Sequence, residues 1–337
     1  MEIFRHRASH SAVGRRFTGV TALVVAAGLL IGCGADNGAA GETTVPADNA
    51  RGEAIPQEWA DAVSAVENKY DGSVGLAMAL PGAGLEADVP AAAFAGTLLD
   101  GPAWSTAKVP IGVAVLRERQ EIDDSLEASL AWSDNEAAEA LWNSLGDWSG
   151  TGDGVDEVLR DGGDMETEFQ RSDDAGGSTP FGLTEWSLVD QATFGANLPC
   201  IDGGEEISQV MGHVVQEQRY GLGTIDGARF KGGWSPDDDG NYFVREFGVI
   251  PGAGSSYVTE NEVPVSEDPT STTRTEGVGT QDRDYTQYDA YPLPSSFLGI
   301  SVAVEPGDGT YETAQEMLDE LAAVIRQHPV QGGSCTA

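Results

Sequence analysis

Apolar residues along the chain fall first at helical spacing. Trp59, Val63, Val66 and Tyr70 recur every three or four positions after Pro56, which predicts an amphipathic helix from Pro56 to about Tyr70. Residues 73–80 form an unbroken apolar run closed by Pro81-Gly82, the pattern of a buried strand, and residues 92–99 are its expected hairpin partner. From Val109 to Leu116 no polar face remains, so a helix enclosed by protein is expected there. Two short helices follow, 126–132 and 136–142. A loop-rich stretch is expected over 146–182, a helix over 183–194, and an amphipathic helix over 206–219 with Gly221 beyond its end. Strands are expected from 228, over 242–250 and over 297–304. Met317, Leu318, Leu321, Val324 and Ile325 mark a last helix over 311–327. Helix first, a sheet drawn from both chain ends, helices between and a helix last predict an α+β layered fold with a mostly antiparallel sheet.

Two segments stand outside this pattern. Residues 252–295, rich in Ser, Thr, Glu, Asp and Pro, form a polar insertion that is either disordered or a lid. At the N-terminus, Arg5, Arg7, Arg15 and Arg16 precede an apolar stretch from about Thr18 to Gly32 that is too short for a comfortable membrane span and reads as a signal peptide. It ends in Leu30-Ile31-Gly32-Cys33, which resembles a bacterial lipobox and implies lipidation of Cys33. Residues 33–55 then read as a flexible tether, 56–330 as the domain and 331–337 as a tail. The expected location is the outer face of the bacterial cytoplasmic membrane, with the lipid as the only membrane contact. Export through the twin-arginine route, hinted at by Arg15-Arg16, stays open beside the general route.

The 337 residues carry a formal net charge of −37, from 55 acidic and 18 basic side chains. Nucleic acid is therefore not an expected partner, since its phosphates would be repelled. Cys200 and Cys335, in an exported protein, are expected to form a disulfide. Of the four histidines only His213 and His328 lie beyond the signal segment; neither belongs to a ligand-spaced cluster, both read as helix-surface residues, and no metal or cofactor is expected. A monomer is expected.

The chemistry centres on Ala103-Trp104-Ser105-Thr106-Ala107-Lys108-Val109-Pro110. Ser105 and Lys108, three residues apart, share one side of a helical turn, and an amine kept neutral by burial or a second cation can take the proton of a serine hydroxyl. Pro110 lacks an amide proton and crowds the carbonyl of Thr106, so this first turn is expected to be distorted. Ser133-Asp134-Asn135 and Lys231-Gly232-Gly233 follow in order. Taken singly, these are ordinary helix-capping residues, a strand lysine and a tight bend. Together the three motifs resemble those of the penicillin-recognising serine enzymes, the class A β-lactamases and D,D-peptidases, whose signatures are Ser-x-x-Lys, Ser-Asp-Asn and Lys-Thr-Gly. The whole chain looks like an actinobacterial type of lipoprotein with a β-lactamase-like domain.

The resemblance implies a β-lactamase/transpeptidase-like fold, with an antiparallel sheet flanked by helices, an all-helical part, and a cleft between them. It implies Ser105 as nucleophile, Lys108 as base or relay, and Ser133 as the group that passes a proton to the leaving nitrogen. Asn135, Lys231, Gly233 and Trp234 would bind substrate, with the amides of Ser105 and Trp234 holding the oxyanion. The substrates implied are β-lactams or peptidoglycan stem peptides. Two departures qualify this. Gly232 stands where the family has a hydroxyl, and Glu166-Thr167-Glu168-Phe169-Gln170 stands where class A enzymes have Glu-x-x-Leu-Asn, leaving Glu166 as a candidate deacylation base. The interval from Ser105 to Ser133 is also short for a class A enzyme, as if one wall of the cleft had been trimmed. A non-catalytic lipoprotein that keeps the fold as a binding surface, and an esterase using the same dyad, are the other readings.

Overall fold

In the computed structural model of the chain, the structure describes residues 54–146, 148–170, 180–256 and 292–335, with the side chains of 148–151 excepted. The signal segment, Cys33, nearly all of the tether and most of the 252–295 insertion lie outside the described residues.

The first helix, α1, runs Gln57–Tyr70 after Pro56 and buries Trp59, Val63 and Val66, as its spacing predicts. β1 (Ser73–Ala79) is buried along nearly its whole length and pairs antiparallel with the short edge strand β2 (Ala93–Gly96). Two strands from the middle of the chain, β3 (Arg229–Pro236) and β4 (Tyr242–Pro251), and one from near its end, β5 (Phe297–Glu305), complete a five-stranded sheet of order β2-β1-β5-β4-β3, antiparallel throughout. Contact between β1 and β5 joins the two ends of the chain. The last helix, α8 (Tyr311–Gln327), has the predicted bounds and packs beside α1 on one sheet face. Val74, Leu76, Val302, Met317 and Leu321 belong to the core between them.

On the other face lies the helical part. α2 (Lys108–Arg119) is buried at every residue from Lys108 to Leu116, and around it pack α3 (Asp124–Ala131), α4 (Asn135–Ser144), α5 (Trp148–Asp161) and α7 (Gly204–Met211). α6 (Leu188–Asn197) lies directly against β1 and β5 through small residues, Ala192 and Ala196 facing Ala77 and Ala303. This close approach depends on Gly299 of β5, where a Cβ would stand 2.2 Å from the Ala196 amide.

Four expectations need correction. Residues 146–182 are not simply a loop. They contain α5, whose glycines hide the buried triad Val155, Val158 and Leu159 at helical spacing. The helix expected over 183–194 begins only at Leu188, because Ser187 accepts from the amide of Asp190 and caps it there. The helix expected over 206–219 stops at Met211, since Gly212 breaks it and a 3-10 turn, Gln216–Gln218, follows. His213 is therefore not on a helix surface: it is half-buried just past the helix end, and burial with the nearby Arg219 and Arg229 lowers its pKa to about 4.

The expected disulfide is present, Cys200 with Cys335, tying the turn after α6 to the segment after α8. A second tie is polar. Arg245 of β4 is fully buried and donates to the carbonyls of Gly101, Pro102 and Trp186 and to Gln191 Oε1 of α6. Gln191 also accepts from Ser301 of β5 at 2.7 Å and donates to Thr106 at 3.0 Å. The segment leading into α2 is thus bonded to two central strands and to α6. Arg245→Met leaves these carbonyls without their charged donor, and the unfolding free energy should fall by about 3 kcal/mol. Urea denaturation measures it; an unchanged midpoint would show the network to be dispensable.

Candidate active site

Trp104–Ala107 forms a 3-10 turn that passes into α2 at Lys108. The distorted first turn expected from Pro110 is this junction. As the third residue of α2, Pro110 has no intrahelical acceptor to forgo. Trp104, just before Ser105, has a φ of +45°, a conformation that a bulky L-residue rarely adopts. Gly233 lies against the same turn: a Cβ there would stand 2.9 Å from the Ala103 carbonyl oxygen and 3.0 Å from the Ser105 amide nitrogen. Only glycine lets β3 approach the Ser105 turn this closely. β3 is an edge strand, so its outward backbone groups beside Ser105 have no strand partner among the described residues.

Ser133 sits between α3 and α4 with a φ of +57°. Asp134 caps α4 by accepting from the amide of Ala137 at 2.8 Å, and Asn135 is the first residue of that helix. The left-handed Ser133 directs both its carbonyl and its hydroxyl at Lys108. The Lys108 Nζ donates to the Ser133 carbonyl at 2.7 Å and to Asn135 Oδ1 at 2.7 Å, and lies 3.3 Å from Ser133 Oγ. From the opposite side the Lys231 Nζ donates to Ser133 Oγ at 2.9 Å and to the Gly232 carbonyl at 2.9 Å. Three separate motifs, of which the second and third are 98 residues apart at Ser133 and Lys231, therefore meet around one hydroxyl.

Both amines are shut away from water, with relative exposures of 1% for Lys108 and 0% for Lys231. Burial lowers the pKa of Lys108 to about 8, against the pull of the Asp134 carboxylate in the other direction. Burial, and then the neighbouring Lys108, push Lys231 well below the ordinary lysine value. Near neutral pH the pair can carry one proton in place of two. Among the described residues the Ser105 hydroxyl makes no hydrogen bond, so it is free to approach either the Lys108 amine or an incoming carbonyl.

Trp234 is half-buried, its ring packed at 5.7 Å from that of Tyr311. At Gly232 a Cβ would find ordinary contacts, 3.5 Å from the Trp234 ring and 3.7 Å from the Tyr220 hydroxyl, so the missing side chain is not a steric necessity. Glu166 is exposed, its amide held by Asp164 Oδ1 at 3.1 Å. Its charge falls with those of Asp164 and Asp100 around Asp190 at the start of α6, whose pKa is raised chiefly by burial. The carboxylate that acts on Lys108 is that of Asp134, and among the described residues Glu166 makes no hydrogen bond to Ser105 or Lys108. No motif marks Gln191 or the pair Arg245-Glu246. The pair has a sequence signal all the same, two adjacent charges inside the otherwise apolar strand Phe243-Val244-Arg245-Glu246-Phe247.

No protein-family model matches the chain, and no curated protein matches it by sequence. Solved structures do match by shape. The TLA-1 extended-spectrum β-lactamase superposes with a TM-score of 0.53 at 11% identity, covering 80% of this chain and 99% of that one. A β-lactamase from Burkholderia vietnamiensis gives 0.51 at 11% identity, over 81% and 96%. One from Xanthomonas campestris gives 0.50 at 13% identity, over 80% and 96%. At such identities the likeness speaks for architecture alone: the chain has the α+β fold of the class A β-lactamases, with the Ser105 turn, the Ser133 loop and the edge strand β3 meeting where its sheet and helical parts adjoin.

Proposed function

We propose that the chain is a cell-envelope lipoprotein, exported and anchored through lipid on Cys33, whose domain is an acyl-serine hydrolase acting on β-lactams or peptidoglycan stem peptides. The observation that carries this reading is the convergence of two buried amines on Ser133 Oγ beside the Ser105 turn. In the reaction, neutral Lys108 takes the Ser105 proton as the serine oxygen bonds to the substrate carbonyl carbon, and the oxyanion turns to the Ser105 and Trp234 amides. The carbon–nitrogen bond breaks, and the proton passes through Ser133 Oγ to the departing nitrogen. Water later cleaves the acyl-serine ester. Asn135 would hold the amide of the acyl side chain.

Release is the weak step in this scheme. Glu166, the candidate deacylation base, is exposed, and its charge acts on Asp190, while the carboxylate that acts on Lys108 is that of Asp134. The absent hydroxyl at Gly232 also favours a second reading, a lipoprotein that keeps the fold to bind rather than to turn over.

Intact-protein mass spectrometry of the full chain mixed with benzylpenicillin separates them. A long-lived adduct on Ser105 is expected, absent from Ser105→Ala; a mutant that still labels contradicts the assignment, and a wild type that never labels supports the binding reading. The rate of adduct formation should also rise with pH through about 8, as Lys108 loses its proton, and then level off. A rate that falls over the same range would exclude Lys108 as the base.

A further inference from the structure

With Gly233 against the Ser105 turn and Lys231 on Ser133, an acyl donor laid along the edge of β3 with its carbonyl at that turn would bring its leaving group to the Ser133, Lys231 and Gly232 end of the strand. What surrounds Gly232 therefore bears on which leaving groups are accepted, and this inference rests on the acyl-serine reading above. Directly across the sheet from Gly232 stands Glu246 of β4, fully buried. One carboxyl oxygen accepts from the Leu222 amide at 2.7 Å; the other, Oε1, has no hydrogen-bond partner among the described residues. The charged or titratable groups that act on this carboxyl are Lys231 and Asp319, and Tyr220 and Tyr311 in turn feel its charge. Burial, the first cause in each case, works against the charged form of both the Lys231 amine and the Glu246 carboxyl.

The groups nearest Gly232 itself are aromatic. The Tyr220 hydroxyl, 3.7 Å from where a Gly232 Cβ would be, accepts from Tyr311 at 3.0 Å and keeps its own proton to donate. Around it the rings of Trp234, Tyr242 and Tyr311 form an aromatic wall, with Trp234 and Tyr242 5.7 and 5.3 Å from Tyr311. Among the described residues the Lys231 amine bonds only to Ser133 and Gly232, and it is buried. One phenol donor satisfies an ester or amide carbonyl, but a carboxylate needs more donors and a positive charge to offset its loss of water. The chain's net charge of −37 adds long-range repulsion of anions.

We propose that this site selects acyl donors whose leaving group ends in an ester or amide in place of a free carboxylate, with Glu246 and Tyr220 as the specificity-determining residues. The chemistry is the acylation already described: the Ser105 oxygen–carbon bond forms, the ring carbon–nitrogen bond breaks, and the serine proton ends on the ring nitrogen. Only the substituent beside that nitrogen is read.

Benzylpenicillin and its methyl ester share the reacting ring and differ only in whether that carboxyl is free or methylated. Rates of Ser105 acylation, followed by intact mass on the full chain with Ser105→Ala as control, should favour the ester by about tenfold or more. Glu246→Gln and Gly232→Ser, which remove the buried acid and supply a hydroxyl, should each raise the rate of the acid relative to the ester and narrow that ratio. An acid that reacts as fast as the ester overturns the inference and leaves the acyl-serine reading intact. An ester preference that neither variant moves overturns the assignment to this end of the strand. If neither compound labels Ser105, the acyl-serine reading falls and the inference falls with it.

Discussion

Two lysine amines share one serine hydroxyl in a place without water, and much of the architecture is arranged around that contact. Like charges at such range repel strongly once water is excluded, and burial alone disfavours each ammonium. The fold tolerates this because Ser133 and Asn135 offer Lys108 three acceptors, and Ser133 and Gly232 offer Lys231 two. A neutral amine next to a serine is the chemical product of that frustration. The same side chains in solvent would both be protonated and inert as bases.

Holding the contact requires three elements from distant parts of the chain to close to within hydrogen-bond range. The α3–α4 junction supplies Ser133 in a left-handed conformation, and the turn before α2 supplies Ser105 after a left-handed Trp104. Strain of this kind persists only where surrounding structure over-determines it. Here that structure is the buried polar network of Arg245, Gln191, Thr106 and Ser301, which fixes the Ser105 turn to the sheet, and the bare Gly233, which lets the edge strand come up against it. Sheet and helical part are thus joined by polar bonds as well as by packing.

Much of this was legible in the residues. The buried helix behind Lys108, the alternation of strands and the final helix followed from apolar spacing, because each buries a regular face. The three motifs pointed to the site because the residue types they contain are chemically complementary in that order. What escaped was governed by single residues that periodicity averages over. Ser187 and Gly212 set helix ends by capping and breaking, and the glycines at the start of α5 masked three buried apolar positions. Glu246 escaped for another reason. A charged residue in an apolar strand shows that something is buried with it, but only the pairing of β4 with β3 reveals that its neighbour across the sheet is Gly232.

The claim beneath all of this is that the protein depresses the proton affinity of its two buried amines. A carbon-13 NMR titration of lysine Cε resonances, assigned with Lys108→Arg and Lys231→Arg variants, measures it directly. The account requires the Lys108 signal to titrate near 8 and the Lys231 signal well below the ordinary lysine range, with the signal of Lys69, the chain's one other lysine and an exposed one, unmoved until far more alkaline pH. Both signals titrating at or above about 10, as for lysines in water, would contradict it.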